Sequence, residues 1–406
     1  GERWLHYSID AGEVERKVPP EGILLRYAFA AGQAGPRQIW ARIGFEFARS
    51  PFDWRLDDGE WRRVDADVLT TDLMEIDFWC EIAWLQLGEE NLAAGPHTLE
   101  ISLPRTRDEK GGTARVLFAM DVLCIAAPPF APNGRHKPGE EWRTDKDRAA
   151  ADQLFRLPEP ATPDGRAAVR LEGLWEVCRN DEQLPPADVA QPMTDFPAQP
   201  FWSAIEVPGD RNKLRPDLIF AHRLWYRTRV EVPASQSGRS FFLRFPQNNL
   251  NTTVFVNGRY CGFFKHPFAA FSLDVTPGIR AGVNEVWVGI RDAWYGYSTN
   301  PTNSLKLRRK FNLPVSFFSQ GFQDLAYPVW NHPQSGILQT PELIVAGGPV
   351  YAADVFAKPS LRRRALEAEV TLTNTAARAV KGEVRWQALN PLTQAVEQRF
   401  AAQPFE

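Results

Sequence analysis

Leu171-Glu172-Gly173-Leu174-Trp175, Leu224-Trp225-Tyr226-Arg227-Thr228-Arg229-Val230-Glu231-Val232-Pro233 and Val254-Phe255-Val256-Asn257-Gly258-Arg259-Tyr260-Cys261-Gly262 follow one another in a stretch that closes near Val345. In the second segment apolar and polar side chains alternate, the two-residue period of a strand with one buried face. In the third, Asn257-Gly258 supplies the positive φ values that a two-residue hairpin turn demands. Phe271-Ser272-Leu273-Asp274-Val275-Thr276 and Ala281-Gly282-Val283-Asn284-Glu285-Val286-Trp287-Val288-Gly289-Ile290 continue the pattern. Short strands at regular spacing, divided by turn residues, predict an all-β unit.

The same signals run upstream. Gln38 to Glu46, Phe52 to Leu56, the turn Asp57-Asp58-Gly59, Ala94 to Ile101 and Val116 to Leu123 read as strands and turns. Gly95-Pro96-His97-Thr98-Leu99-Glu100-Ile101 parallels Gly282-Val283-Asn284-Glu285-Val286-Trp287-Val288, each placing a turn glycine before a late strand. Residues 1–127 are therefore expected to form a first β-sandwich of similar build. Between the two units, residues 128–168 carry Pro128, Pro129, Pro132, Pro138, Pro158, Pro160 and Pro163. Proline at that density cannot feed a strand ladder, so this segment is expected to be a connector strapped along a domain surface, with a short helix from Asp145 to Leu154.

A chain of 406 residues is too long for a single sandwich. Its 44% hydrophobic and 24% charged content is that of a globular protein. A net charge of -3 leaves no footprint for nucleic acid or an anionic membrane, and no apolar run is long enough to span a bilayer. The 14 tryptophans fit sandwich cores first and sugar-stacking surfaces second. Cys80, Cys124, Cys178 and Cys261 lack CxxC spacing and read as small buried hydrophobes rather than a metal site or disulfide framework.

Past Gly347-Gly348-Pro349, strands are expected at Tyr351 to Leu361, Leu366 to Asn374 and Val384 to Leu389. The ordered set from Leu171 to Asp354-Val355-Phe356-Ala357-Lys358-Pro359 resembles the N-terminal region of family 2 glycoside hydrolases, the β-galactosidase, β-glucuronidase and β-mannosidase group. The resemblance implies that residues 169–347 are a sugar-binding, galactose-binding-like jelly roll and that residues 348–406 open an immunoglobulin-like sandwich. Such a domain takes about seven strands over roughly 100 residues, so the third unit is expected to be partial. The expected fold class is all-β, two β-sandwiches followed by the start of a third. The chain departs from many relatives at Ser335-Gly336-Ile337-Leu338-Gln339-Thr340-Pro341, where they carry an aromatic residue and an arginine after the Gly-Ile pair. The substrate of the common relatives is therefore not transferred.

Family 2 chemistry is retaining hydrolysis by two carboxyl groups about 5 to 5.5 Å apart. The resemblance places both on a barrel beyond these residues, so no catalytic residue is nominated. Asn284-Glu285 mimics the family's acid/base dipeptide, but it follows a turn glycine and opens a strand, which is not the context that motif requires. No metal or cofactor motif is present: HExxH, nucleophile elbow, phosphate loop and dinucleotide fingerprint are all missing, and His222, His266 and His332 lack ligand spacing. Asn251-Thr252-Thr253 fits a glycosylation sequon.

In the resembled enzymes, loops after the last jelly-roll strand rim the active site. Here that segment supplies Asp292, Trp294, Asp324, Trp330, Asn331 and His332, an aromatic and hydrogen-bonding set suited to a pyranose. The alternative is that Trp294 and Trp330 pack the loop down and the polar groups hold turns. Lys306 to Lys310 reads as a solvated face, an acidic or sulfated sugar being the other reading. Expected partners are carbohydrate and a catalytic barrel, C-terminal or on another chain, with a homo-oligomer left open. Localisation is open too, periplasmic or secreted ahead of cytoplasmic. Three functions stand at this point: the N-terminal portion of a family 2-like β-glycosidase, a non-catalytic carbohydrate-binding or structural protein, and an inert subunit completing another chain's site.

Overall fold

Ile23–Ala31 alternates strictly between half-buried and exposed side chains, the mark of a strand covering a core with one face. In the computed structural model, residues 4–45, 48–66, 68, 70–77, 80–162, 165–180, 191–219, 221, 223–249, 251–266, 269–291, 295–296, 327–328, 334–376 and 378–406 are described. The chain is mostly β.

The first unit comprises β1 (Leu5–Ile9), β2 (Ile23–Ala31), β3 (Gly35–Gly44), β4 (Phe52–Leu56), β5 (Arg62–Val64), β6 (Thr71–Asp77), β7 (Cys80–Leu92), β8 (Gly95–Leu103) and β9 (Val116–Ala126). They form two antiparallel sheets, β1-β9-β3-β7-β6 and β2-β8-β4-β5. Ile39, Ile43, Leu85 and Phe118 of the first meet Phe52, Trp54, Leu99 and Ile101 of the second in one buried cluster. Phe52 and Phe118 lock the sheets edge to face at 5.2 Å. Helix α1 (Ala11–Lys17), which the strand pattern did not predict, drops Val14 into this core.

The second unit comprises β10 (Phe155–Arg156), β11 (Ala167–Arg170), β12 (Gly173–Arg179), β13 (Ser203–Val207), β14 (Arg223–Val232), β15 (Phe241–Phe245), β16 (Asn248–Asn249), β17 (Asn251–Val256), β18 (Arg259–Phe264), β19 (Phe271–Asp274), β20 (Gly282–Arg291), β21 (Tyr295–Gly296), β22 (Tyr327–Pro328), β23 (Gly336–Ile337) and β24 (Glu342–Val345). Its large sheet runs β13-β12-β14-β20-β17-β18, and the facing sheet runs β11-β24-β15-β19. Trp175, Tyr226, Val254 and Val288 pack onto Leu243, Phe245, Leu343 and Val345 between them. The quoted segments are thus neighbours in space, with Trp225 opposite Gly289 and Val254 opposite Val288. Asn257 has φ 50, as the hairpin between β17 and β18 requires.

The Pro-rich connector does more than connect. Helix α2 (Asp145–Asp152) carries a complete capping box, Thr144 and Asp147 each bonding the other's backbone N–H. β10 adds to the large sheet parallel to β14, and Phe155 and Leu157 enter the second core. Phe130 packs on Trp40 and Trp84 of the first sandwich, both at 5.5 Å.

After Ala346 the character changes. β25 (Val350–Ser360) and β26 (Ala365–Asn374) form a hairpin, β27 (Gly382–Val384) pairs with β30 (Gln403–Phe405), and β28 (Gln387–Leu389) pairs with β29 (Val396–Arg399). The single strand expected from Val384 to Leu389 is split, because its two ends turn to different partners. Among the described residues, none beyond Ala346 belongs to the buried apolar set, and Val355 and Phe356 are 60% and 55% exposed.

Candidate functional site

Asp292, Trp294, Asp324, Trp330, Asn331 and His332 lie outside the described residues, as do His222 and the run Lys306 to Lys310. The backbone nonetheless joins the two stretches expected to meet sugar: β21 pairs in parallel with β22, Tyr295 opposite Tyr327 and Gly296 opposite Pro328. Residues 32 positions apart in the sequence are set side by side here by two rungs of ladder.

At the root of this segment the second sandwich buries a set of polar groups that the sequence reading missed. Asn248, Asn249, Asn251, Arg291, Arg211 and Ser335 are all 7% exposed or less. β16 pairs with β23, and Arg291 stands opposite Asn251 in the ladder. Asn248 Nδ2 donates to Thr252 Oγ1 at 3.1 Å, and Asn249 Nδ2 donates to the Gln334 carbonyl. The Arg211 amide donates to the Ser335 carbonyl at 2.8 Å, and the Ser335 amide to Asp210 Oδ1 at 3.3 Å. Gly336 has φ 107, and a Cβ there would come within 2.7 Å of Tyr226 Oη, so this position of the Gly-Ile pair needs glycine. Asparagine is poor in strands, so Asn248-Asn249-Leu250-Asn251 was a legible signal that hydrogen bonding rather than packing rules this point. The arrangement fixes where the long segment leaves and re-enters the sandwich.

Asn284 and Glu285 are structural. Asn284 is fully buried, accepting from the Arg280 amide at 2.8 Å and from Asn257 Nδ2 at 2.8 Å, and donating to the Arg280 carbonyl at 2.7 Å. The Glu285 carboxylate accepts from Trp287 Nε1 at 2.5 Å and faces Arg227 at 3.8 Å. Arg227 in turn donates to Glu176 at 2.8 Å and lies 4.2 Å from the Trp202 ring centre. Asn251 is 3% exposed within β17, which leaves no access for a glycan and removes the sequon reading. Trp54, Trp84, Trp175 and Trp225 are core residues. Cys124 and Cys178 are buried and Cys261 half-buried, each a free thiol. Among the described residues, no three His, Cys, Asp or Glu side chains converge as metal ligands, and no helix is long and apolar enough to cross a membrane.

No family model matches the chain. It is 26% identical over 97 residues to a putative β-glucuronidase of Formosa agariphila, a match covering 23% of this chain and 12% of that protein. Its structure is similar to β-glucuronidases of glycoside hydrolase family 2. For the Ruminococcus gnavus enzyme the identity is 17% and the TM-score 0.39, over 61% of this chain and 39% of the other. For that of Bifidobacterium dentium the values are 19% and 0.40, over 62% and 41%. The chain therefore spans less than half the length of the proteins it matches.

Proposed function

We propose that these residues are the N-terminal sandwich region of a family 2-like β-glycosidase, a retaining hydrolase of β-glycosidic bonds in poly- or oligosaccharides, with the catalytic barrel carried elsewhere. The supporting observation is the order of the motifs from Leu171 to Pro359, together with the sequence match to a putative β-glucuronidase. That name makes β-glucuronides the first substrates to try. In this reading the second unit is the family's jelly roll, residues 348–406 belong to an immunoglobulin-like sandwich, and Asp292, Trp294, Asp324, Trp330, Asn331 and His332 bind the terminal sugar at the rim of the barrel.

The test uses the 406-residue polypeptide and the product of the complete reading frame, both assayed on 4-nitrophenyl β-glucuronide, β-galactoside and β-mannoside. Turnover is expected from the complete product and not from the 406-residue chain. In the complete product Trp330→Ala should lower kcat/KM by about 5- to 30-fold, the worth of one aromatic contact. Turnover by the 406-residue chain itself, or a complete product inert on all three substrates, overturns the proposal.

A further inference from the structure

β2 (Ile23–Ala31) is an edge strand: it pairs with β8 on one side and, among the described residues, with no strand on the other. The Asp57 amide donates to the Thr98 carbonyl at 2.7 Å, so Thr98 of β8 turns its backbone groups towards β4. Ala28 lies opposite Thr98 and therefore turns its own away from β8, because successive residues of an antiparallel strand point their backbone groups to alternate sides. The ladder between β2 and β8 runs without a register shift, which puts the N–H and C=O groups of Leu24, Arg26, Ala28 and Ala30 along the free edge. Among the described residues, none of the backbone hydrogen bonds outside the ladders involves residues 23–31.

Proteins guard such edges with short strands, bulges, prolines, lysines or a covering element. The other edges of the two sandwiches carry these devices. β1, β5, β11 and β19 are five residues long or shorter. β6 pairs irregularly with β7, β18 faces a register shift at Val254/Phe255, and α2 covers β13, Asp147 accepting from the Ala204 amide at 2.6 Å. β2 has nine residues, no proline, no lysine and no bulge, and its one charged side chain, Arg26, is bonded to Glu100 at 2.6 Å.

The first core is open on the same side. Ile23, Leu25, Tyr27 and Phe29 of β2, with Leu5 and Tyr7 of the edge strand β1, pack against that core yet are only half-buried. The order of side chains along β2 fits a second β2 laid antiparallel with all nine residues overlapping. Tyr27 then meets Tyr27 of the copy at the axis. On the core side Leu25 falls opposite Phe29 and Ile23 opposite Ala31; on the outer side Leu24 falls opposite Ala30 and Arg26 opposite Ala28, a large side chain against a small one each time.

We propose that two copies of this chain pair through β2, joining their β2-β8-β4-β5 sheets into one continuous antiparallel sheet about a twofold axis at Tyr27. The free backbone groups of Leu24, Arg26, Ala28 and Ala30 complete the ladder, and Leu25, Tyr27 and Phe29 of each copy close the open side of the other's core. The interface lies in the first sandwich alone and is independent of the glycosidase reading.

Sedimentation equilibrium on the 406-residue protein tests this. Wild type should be dimeric at about 100 μM, well above the micromolar dissociation constants of modest interfaces. Ala28→Pro removes an N–H that β8 does not use, so the sandwich should fold while the dimer weakens about 10-fold or more. Ala28→Lys sets a lysine opposite Arg26 of the copy and should weaken the dimer comparably with the backbone untouched. Circular dichroism should show both variants folded. Tyr27→Cys should yield a disulfide-linked dimer on mild oxidation, since directly opposed residues that share no hydrogen bond bring their Cα atoms to about 4.5 Å. Ala30→Cys, three rungs from the axis, and wild type should not cross-link. A monomeric wild type at about 100 μM overturns the proposal and leaves the edge to a strand of other origin. A dimer that Ala28→Lys leaves intact, or Tyr27→Cys protein that dimerises without cross-linking, overturns it equally.

Discussion

The Asp72 carboxylate of the first sandwich and the Arg179 guanidinium of the second meet at 2.7 Å, with side chains 9% and 14% exposed. Asp72 sits at φ 55, inside an irregularity of the β6–β7 ladder that frees it from pairing and turns it outward. The same carboxylate accepts from the Gly134 amide of the connector, and Arg179 also donates to the Leu73 carbonyl at 3.0 Å. Three segments far apart in sequence are therefore joined through one ion pair, beside the apolar contact of Leu73 and Ala83 with Ile219.

Removing one partner of this pair should cost more than removing both. Arg179→Ala strands a largely buried carboxylate, with a loss on the order of 2 kcal/mol, discounted from the 3 to 5 of a fully buried pair for its partial exposure. Asp72→Ala combined with Arg179→Ala should recover part of that loss. The midpoint of urea unfolding measures both, and a double variant as unstable as the sum of the singles would mean that the two side chains do not interact.

Gly134 is the connector's fitting at the same joint. It lies at φ +52, its carbonyl accepts from Trp84 Nε1 at 2.7 Å, and a Cβ would fall 2.9 Å from Met74 Cε. Met74 can swing away, so the cost of Gly134→Ala is mainly the left-handed backbone, about 1 kcal/mol. Gly134→Asn should be tolerated better than Gly134→Val, since asparagine adopts that conformation and a β-branched residue resists it. Equal thermal midpoints for these two variants would contradict the conformational account.

What could be read from the sequence followed the two-residue period. Leu224 to Val232 and Val254 to Gly262 were legible as strands because burial on one face imposes alternation, and Asn257-Gly258 because its turn needs positive φ. The short helix expected from Asp145 to Leu154 is α2, and the structure shows the Thr144–Asp147 capping box that starts it. Helix α1 was not, since seven residues with one buried side chain carry too little period to register. Asp72, Arg179 and Gly134 were invisible for a different reason: they belong to separate strands and the connector, and only tertiary packing brings them together. The Val384 to Leu389 strand failed because local propensity cannot tell which partner each half will pair with.

Cys178 should resist alkylation. Burial pushes its thiol up to about 12, so at about pH 8 roughly one molecule in ten thousand carries the thiolate that reacts. Native protein treated with iodoacetamide should show no label on the Cys178 peptide by mass spectrometry, whereas unfolded protein should label fully. Half-buried Cys261 should label ahead of it. Prompt native labelling of Cys178 would place it at a surface that the second sandwich does not have.

His97 gives the first sandwich a pH dependence of definite sign. Its Nε2 bonds the Ala93 carbonyl at 2.9 Å and its Nδ1 the Asp57 carboxylate at 3.0 Å, and these contacts, in that order of importance, raise the imidazole above 6.5. The folded state thus holds the proton more tightly than the unfolded chain. The contribution is complete below the unfolded value and is lost as the pH rises through the folded one. The gap in thermal midpoint between wild type and His97→Gln should therefore be wider at about pH 5.5 than at about pH 8.5. A gap independent of pH would show that the imidazole acts here only through its stacking on Phe29 at 5.5 Å.

Glu285 offers a test of the distinction between a catalytic dipeptide and its structural imitation. Asn284 spends its side chain on the Arg280 backbone and on Asn257, and the Glu285 carboxylate is engaged by Trp287 Nε1 and faces Arg227. A general acid needs an approachable carboxyl with a second one about 5 to 5.5 Å away on the substrate's other side; the carboxylate near Glu285 is instead that of Glu176, sharing the Arg227 guanidinium. Glu285→Gln retains an oxygen for Trp287 and loses only the long contact to Arg227, so stability should fall by less than about 1 kcal/mol, the usual ceiling for a half-exposed pair. If the proposed glycosidase reading holds, kcat/KM of the complete product on 4-nitrophenyl β-glycosides should stay within about twofold of wild type, whereas losing a catalytic carboxyl costs several powers of ten. A collapse of kcat/KM in a folded Glu285→Gln protein would return the dipeptide to the active site and remove the barrel from the proposal.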